Sequence, residues 1–97
     1  MIGYVTQHFD GSAESYQAVR ELLLEIQDDD WENCYVSPVL TFPCSPASPE
    51  DVKNLMAVRL DLLMVCDILI VNGSIIDDYM KAEIDFAKLV GMDVFYV

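Results

Sequence analysis

Asp67–Val71, DILIV, followed by Asn72-Gly73-Ser74, is the stretch on which the fold turns. A strand with one face in water alternates apolar and polar residues, whereas Ile68–Val71 is apolar without a break, the pattern of a strand buried on both faces. Asn72-Gly73-Ser74 then breaks the chain with residues that favour turns.

Working outward, Ser48-Pro49-Glu50-Asp51 reads as a helix start, with a serine cap, proline at the first helical position and two acids in the first turn. That helix is expected to run to about Val65. On the other side, Asp77–Val90 (DDYMKAEIDFAKLV) has the spacing of an amphipathic helix closed by Gly91, and Asp93–Val97 reads as a closing strand. Nearer the N-terminus, Ile2–Thr6 is a short apolar strand followed by the loop Gln7–Ser12. A helix over about Ala13 to Asp28 places Tyr16, Val19, Leu22, Leu23 and Ile26 inward and Glu14, Glu21 and Glu25 in water. The run Asp28–Asp30 opposes the dipole of that helix and reads as a solvated turn. Cys34–Ser37 begins a second strand, and Pro38–Pro49, which holds all four prolines, reads as a loop placed to cover a cleft.

The order β-α-β-α-β-α-β predicts one α/β domain over residues 1–97, a parallel sheet covered by helices on both faces. Ligands of such sheets bind beyond the carboxyl ends of the strands, near the point where strand order reverses. The loops at that edge are Gln7–Ser12, Pro38–Ser48 and Asn72–Asp77.

Composition narrows the function. With 54% hydrophobic residues the chain can fill a core, and its net charge of −12, with only five Lys and Arg, argues against nucleic-acid polymers and anionic membranes as partners. A basic partner fits the charge, as does simple solubility. No apolar run approaches the length of a membrane span, and MIGYVTQHF lacks the basic and apolar regions of a signal peptide. Cys34, Cys44 and Cys66 are odd in number and widely spaced, which predicts reduced thiols in a cytoplasmic setting, with Cys34 and Cys66 as small core residues. His8 is the single histidine, so no metal site is expected. Gly73 stands outside any phosphate-binding glycine motif, and Ser74 outside a GxSxG elbow.

Two charges sit on apolar faces. On the helix Asp77–Val90, Lys81, Asp85 and Lys88 share a solvated face, while Glu83 falls among Met80, Ala87 and Val90. A carboxylate there needs a partner or a use. Arg59 lies on the face of its own helix that carries Val52, Leu55, Met56 and Leu63. The two opposite charges suggest a contact, Arg59 acting as a structural charge partner; the alternatives are an Arg59 that snorkels to the helix edge or pairs with Asp67. Asp77 and Glu83, about one and a half turns apart, form a second candidate pair, the nucleophile and proton donor that displacement at an anomeric carbon requires. Capping is the alternative role for Asp77.

The block Arg59–Val97, RLDLLMVCDILIVNGSIIDDYMKAEIDFAKLVGMDVFYV, resembles the C-terminal half of the nucleoside 2-deoxyribosyltransferase-like superfamily, and within it the small uncharacterised bacterial and phage branch. It carries a helix, a "CD" before an apolar strand, a short loop, and a helix reading M-x-x-E-x-x-x-A-x-x-x-G at Met80, Glu83, Ala87 and Gly91; CYVSPVLTF (Cys34–Phe42) is similar to the family's second strand and proline-bearing loop. The resemblance implies a flavodoxin-like three-layer sandwich with a parallel sheet of four strands or slightly more. It also implies Glu83 as the nucleophile on the sugar and Asp77 as its assistant. Substrate contacts are implied at Thr6, Gln7 and Phe9 after the first strand, at Pro38, at Gly73, and at Tyr79 and Met80. No metal or organic cofactor is implied. Tyr79 stands where the transferases have glycine, and Thr6-Gln7-His8-Phe9 replaces their usual small pair.

The expectation is therefore a cytoplasmic protein that binds a nucleoside or nucleotide, as an N-glycosidase or deoxyribosyltransferase acting through Glu83. The alternative is a catalytically silent binding or assembly module of the same fold. Because Tyr79, Ala82, Phe86 and Leu89 widen the apolar band of the last helix, a homodimer through that helix is also expected.

Overall fold

In the computed structural model, which describes residues 1–42 and 45–97, eight elements follow one another. They are β1 (Ile2–Gln7), α1 (Ala13–Asp29), β2 (Cys34–Val36), α2 (Pro38–Thr41), α3 (Pro49–Met64), β3 (Ile68–Asn72), α4 (Asp78–Leu89) and β4 (Asp93–Tyr96). The four strands form one parallel sheet in the order β2-β1-β3-β4. This is a flavodoxin-like α/β sandwich, and the order reverses between β1 and β3.

The helices end where local chemistry ends them. Ser12 caps α1 by accepting from the Ser15 amide, Ser48 caps α3 by accepting from Asp51, and Asp77 caps α4 by accepting from Met80. Gly91, at φ 77°, takes the left-handed conformation that closes α4.

Tyr4 and Thr6 of β1 and Leu69 and Val71 of β3 point to the sheet face covered by α3 and α4. There they meet Leu63, Met80, Ile84 and Ala87 in the main core. Val5 and Ile70 point to the opposite face, where Val19 is the buried residue of α1. The continuous run of β3 is thus explained by two covered faces.

Four expectations change. Cys34 is exposed, because β2 is a three-residue edge strand that leaves its first side chain uncovered; Cys66 is buried as expected. Cys44 lies outside the described residues. The proline-bearing segment is not all loop, since Pro38 starts the short α2. Val52 is exposed, and Tyr16 is 40% exposed, because it lies at the open end of α1 rather than under it. The run Asp28–Asp30 does not form a solvated turn. The helix continues through Asp29, and Asp30 accepts from Asn33 Nδ2 at 2.8 Å and from the Tyr35 hydroxyl at 2.6 Å. Those donors hold the Asp30 carboxyl below its ordinary value.

No helix among the described residues is long and apolar enough to cross a membrane.

Candidate functional site: an open cleft above a buried ionic network

Glu83 lies in the middle of α4 and is fully buried. Both carboxylate oxygens are engaged. Oε1 accepts from Thr6 Oγ1 at 2.8 Å and from Arg59 Nη2 at 2.9 Å, and Oε2 accepts from Arg59 Nε at 3.2 Å and from the Tyr4 hydroxyl. Arg59 Nη2 also donates to Thr6 Oγ1 at 3.3 Å. The paired guanidinium donors meet the two carboxylate oxygens side by side, the planar match that makes Arg–carboxylate pairs strong.

The four residues come from three elements. Tyr4 and Thr6 alternate onto one face of β1, Arg59 stands on the inner side of α3, and Glu83 on the inner side of α4. Asp67 is not the partner of Arg59; its carboxylate accepts instead from the Ile2 amide at 2.7 Å.

Burial works against the Arg59 charge, and the adjacent Glu83 carboxylate outweighs it, holding the guanidinium above its ordinary value. Burial, reinforced by the Glu83 charge, also pushes the Tyr4 hydroxyl far above the usual phenol value of 10.0. A raised folded-state value means stability that is complete below pH 10 and is lost as pH rises further, because the unfolded chain then releases the phenol proton while the folded chain keeps it. Tyr4→Phe is therefore expected to lower stability near neutral pH and to flatten its decline above pH 10. Urea unfolding across that range checks this, and parallel wild-type and variant profiles would remove Tyr4 as the cause.

Above this network the sheet edge opens into a cleft of about 850 Å³, within the size range of small-molecule sites. Its walls are the loop after β1 with the start of α1 (Phe9–Ala13, Tyr16, Gln17), the segment after β2 (Pro38, Val39, Phe42, Ser45, Pro46), Leu55 and Arg59 of α3, and Asp77 and Tyr79 at the start of α4. Tyr79 lies over the Arg59 guanidinium, 4.7 Å from ring centroid to Cζ, a cation–π contact. Arg59 thus belongs to both places, bonded inward to Glu83 and bordering the cleft outward.

His8 and Asp77 tie the loop after β1 to the start of α4, with Nδ1 and Oδ2 at 3.0 Å. The other oxygen of Asp77 accepts from the Met80 amide at 2.9 Å, so this residue caps its helix and also lines the cleft.

The residues singled out from the sequence divide into three groups. Phe9, Pro38, Arg59, Asp77 and Tyr79 line the cleft. Thr6, Met80 and Glu83 are buried beneath it, Thr6 and Glu83 in the ionic network and Met80 in the core. Gln7 and Gly73 end β1 and follow β3 without lining the cavity, and Gly73 takes φ 93°, which only the turn requires. Asp77 and Glu83, expected to border one pocket, are separated by depth.

Tyr16, Phe42 and Asp10 were not singled out. Asp10 falls in a loop already assigned to the ligand edge, so its position was the available signal. Tyr16 carries the periodicity of a core residue, and no pattern in the sequence separates a helix-end aromatic that lines a cleft from one that packs.

Among the described residues no group of three or more His, Cys, Asp or Glu is placed to hold a metal ion. No protein-family model matches the chain, and no curated protein matches it.

Proposed function

We propose that this protein binds a nucleoside-type small molecule in the cleft at the carboxyl edge of its sheet, and that Glu83 is the organising acid of the cleft floor. The observation that carries this reading is the lining itself, in which four aromatic rings, Phe9, Tyr16, Phe42 and Tyr79, surround a space bordered by Arg59 and Asp77. Aromatic walls suit a flat heterocycle, and the polar pair suits its exocyclic groups or the hydroxyls of an attached sugar. The resemblance of the Arg59–Val97 block to deoxyribosyltransferase-like proteins supports the same ligand class.

The burial of Glu83 supports binding without turnover. A nucleophile must approach the anomeric carbon to about 3–3.5 Å, and the Glu83 oxygens are occupied by Arg59, Thr6 and Tyr4, with the Tyr79 ring lying over Arg59. Transferase chemistry keeps one observation in its favour, the place of Asp77 on the cleft wall. A homodimer through α4 would rest on the exposed Leu89 and Val90, because Tyr79, Ala82 and Phe86 are already half-buried within one chain.

The test pairs calorimetric titration of 2′-deoxynucleosides with a chromatographic base-exchange assay using free adenine and hypoxanthine, beside Glu83→Gln. The expected result is saturable nucleoside binding and no base release. Release that disappears in Glu83→Gln would replace this reading with the enzyme, and absence of both binding and release would end it.

A further inference from the structure

We propose that the cleft selects the uncharged nucleoside over its 5′-monophosphate, because the chain's own carboxylates already stand where an anionic ligand would need positive charge. The inference rests on the reading of the cleft as a nucleoside site and specifies its ligand.

Three observations combine. First, among the described residues Arg59 is the single Lys or Arg that lines the cleft, and its Nε and Nη2 are committed to Glu83. A guanidinium matched by a carboxylate offers a ligand hydrogen-bond donors but little net charge. Arg59 can therefore meet a carbonyl oxygen of a base without attracting a phosphate dianion.

Second, the start of α1, which borders the cleft, already has its anion. The Asp10 carboxylate accepts from the Ser12 amide at 2.9 Å, and the Ser12 hydroxyl accepts from the Ser15 amide at 3.0 Å. The Asp10 amide in turn donates to Ser15 Oγ at 3.3 Å. A helix N-terminus after the first strand of such a sheet is where a phosphate would gain most from the helix dipole. Here Asp10 supplies that negative charge from within the chain. Its hydrogen bonds from the Ser12 side chain and backbone and from Ser15 lower its pKa to about 2, so it is ionised at any pH near neutrality.

Third, Asp77 places a further carboxylate on the cleft wall, at the start of α4. Its neighbour His8 offsets that charge only when protonated. A phosphate in the cleft therefore shares its lining with two carboxylates, Asp10 and Asp77. The protein's net charge of −12 adds a repulsive field in the same direction.

The chemical class that fits is a neutral heterocycle with a carbonyl acceptor for Arg59 and hydroxyl or amino donors for Asp10 and Asp77. A 2′-deoxynucleoside such as 2′-deoxyinosine meets all three demands, and its 5′-monophosphate meets them at the cost of like-charge contact.

The experiment titrates wild-type protein, Asp10→Asn and Asp77→Asn with 2′-deoxyinosine and with its 5′-monophosphate, at low and at high salt near neutral pH. Asparagine keeps the acceptor oxygen that Ser12 and Met80 use, so both variants are expected to fold, and circular dichroism checks that they do. In the wild type the monophosphate is expected to bind about tenfold or more weakly than the nucleoside, with the gap narrowing as salt rises. Each variant is expected to narrow the ratio of the two affinities by about threefold or more, whatever it does to nucleoside binding itself, since only the monophosphate is relieved of a like charge. A wild type that binds the monophosphate as tightly as the nucleoside overturns the exclusion and leaves the nucleoside cleft standing. A gap unchanged by both variants and by salt overturns it too, since the discrimination would then be one of shape. Binding of neither compound overturns the exclusion together with the nucleoside reading on which it rests.

Discussion

Arg59→Met is expected to lower the unfolding free energy by about 3–5 kcal/mol, the cost of leaving a buried charge without its partner. Glu83 is 0% exposed and lies beneath the cleft, so it does not recover water when Arg59 is removed. After the substitution, Tyr4 and Thr6 still donate to Glu83, but no positive charge faces it. A domain of this size has a total stability of roughly 5–15 kcal/mol, so the variant should fold only marginally at room temperature. Pairing it with Glu83→Gln removes the orphaned charge and keeps an acceptor for the Tyr4 and Thr6 hydroxyls. The double variant is therefore expected to be more stable than the sum of the two single losses allows, by about 0.5–3 kcal/mol of coupling. Urea unfolding of all four proteins measures this. An Arg59→Met variant within about 0.5 kcal/mol of wild type would mean that the pair is hydrated in solution, and the account of a sealed floor would fall with it.

Gly3→Ala is expected to destabilise the fold by about 1–3 kcal/mol through overpacking at the sheet. A methyl group at Gly3 would lie 2.6 Å from Tyr35 Cδ1 and 2.7 Å from Cε1, distances that non-bonded carbons do not adopt. The Tyr35 ring is not free to yield. Its hydroxyl donates to Asp30 at 2.6 Å, and its backbone amide donates to Gln27 Oε1 at 3.0 Å, which ties both ends of the residue to the α1–β2 connection. Moving the ring costs the Asp30 hydrogen bond and loosens the pairing of Gly3 with Tyr35 in the sheet. Removing the ring tests the cause. In a Tyr35→Ala background the further change Gly3→Ala should be nearly neutral, whereas an equal loss in both backgrounds would place the effect in the strand backbone. The effect is smaller than at Arg59 because a steric overlap leaves no buried charge without its partner.

The Arg59–Glu83 contact was legible as a mismatch before it was visible as a bond. Each charge breaks the apolar pattern of its own helix, and two opposite misfits in one small core have few places to go. Tyr4 and Thr6 were not legible as partners, since a strand of alternating tyrosine and threonine reads the same whether its hydroxyls face a carboxylate or water. Gly3 gave no signal either. Its contact with Tyr35 depends on strand register across 32 positions, which local pattern does not encode. The short α2 was hidden by the proline-rich composition of its segment, although Pro38 occupies the first-turn position at which proline is tolerated.

By itself the sequence determined the alternation of strands and helices, the caps at Ser48 and the closure at Gly91, and the two-sided burial of Ile68–Val71. All of these rest on hydrophobic period, cap chemistry and turn residues within a few positions of one another. The sequence also brought Asp77 and Glu83 together as a pair separated by one and a half turns. Only the tertiary structure decided that Asp77 faces the cleft while Glu83 lies beneath it, because that depth is set by Arg59, 24 positions earlier, and by Tyr4, 79 positions earlier. A helix fixes the angle between two side chains, and the elements packed against it fix which of them meets water.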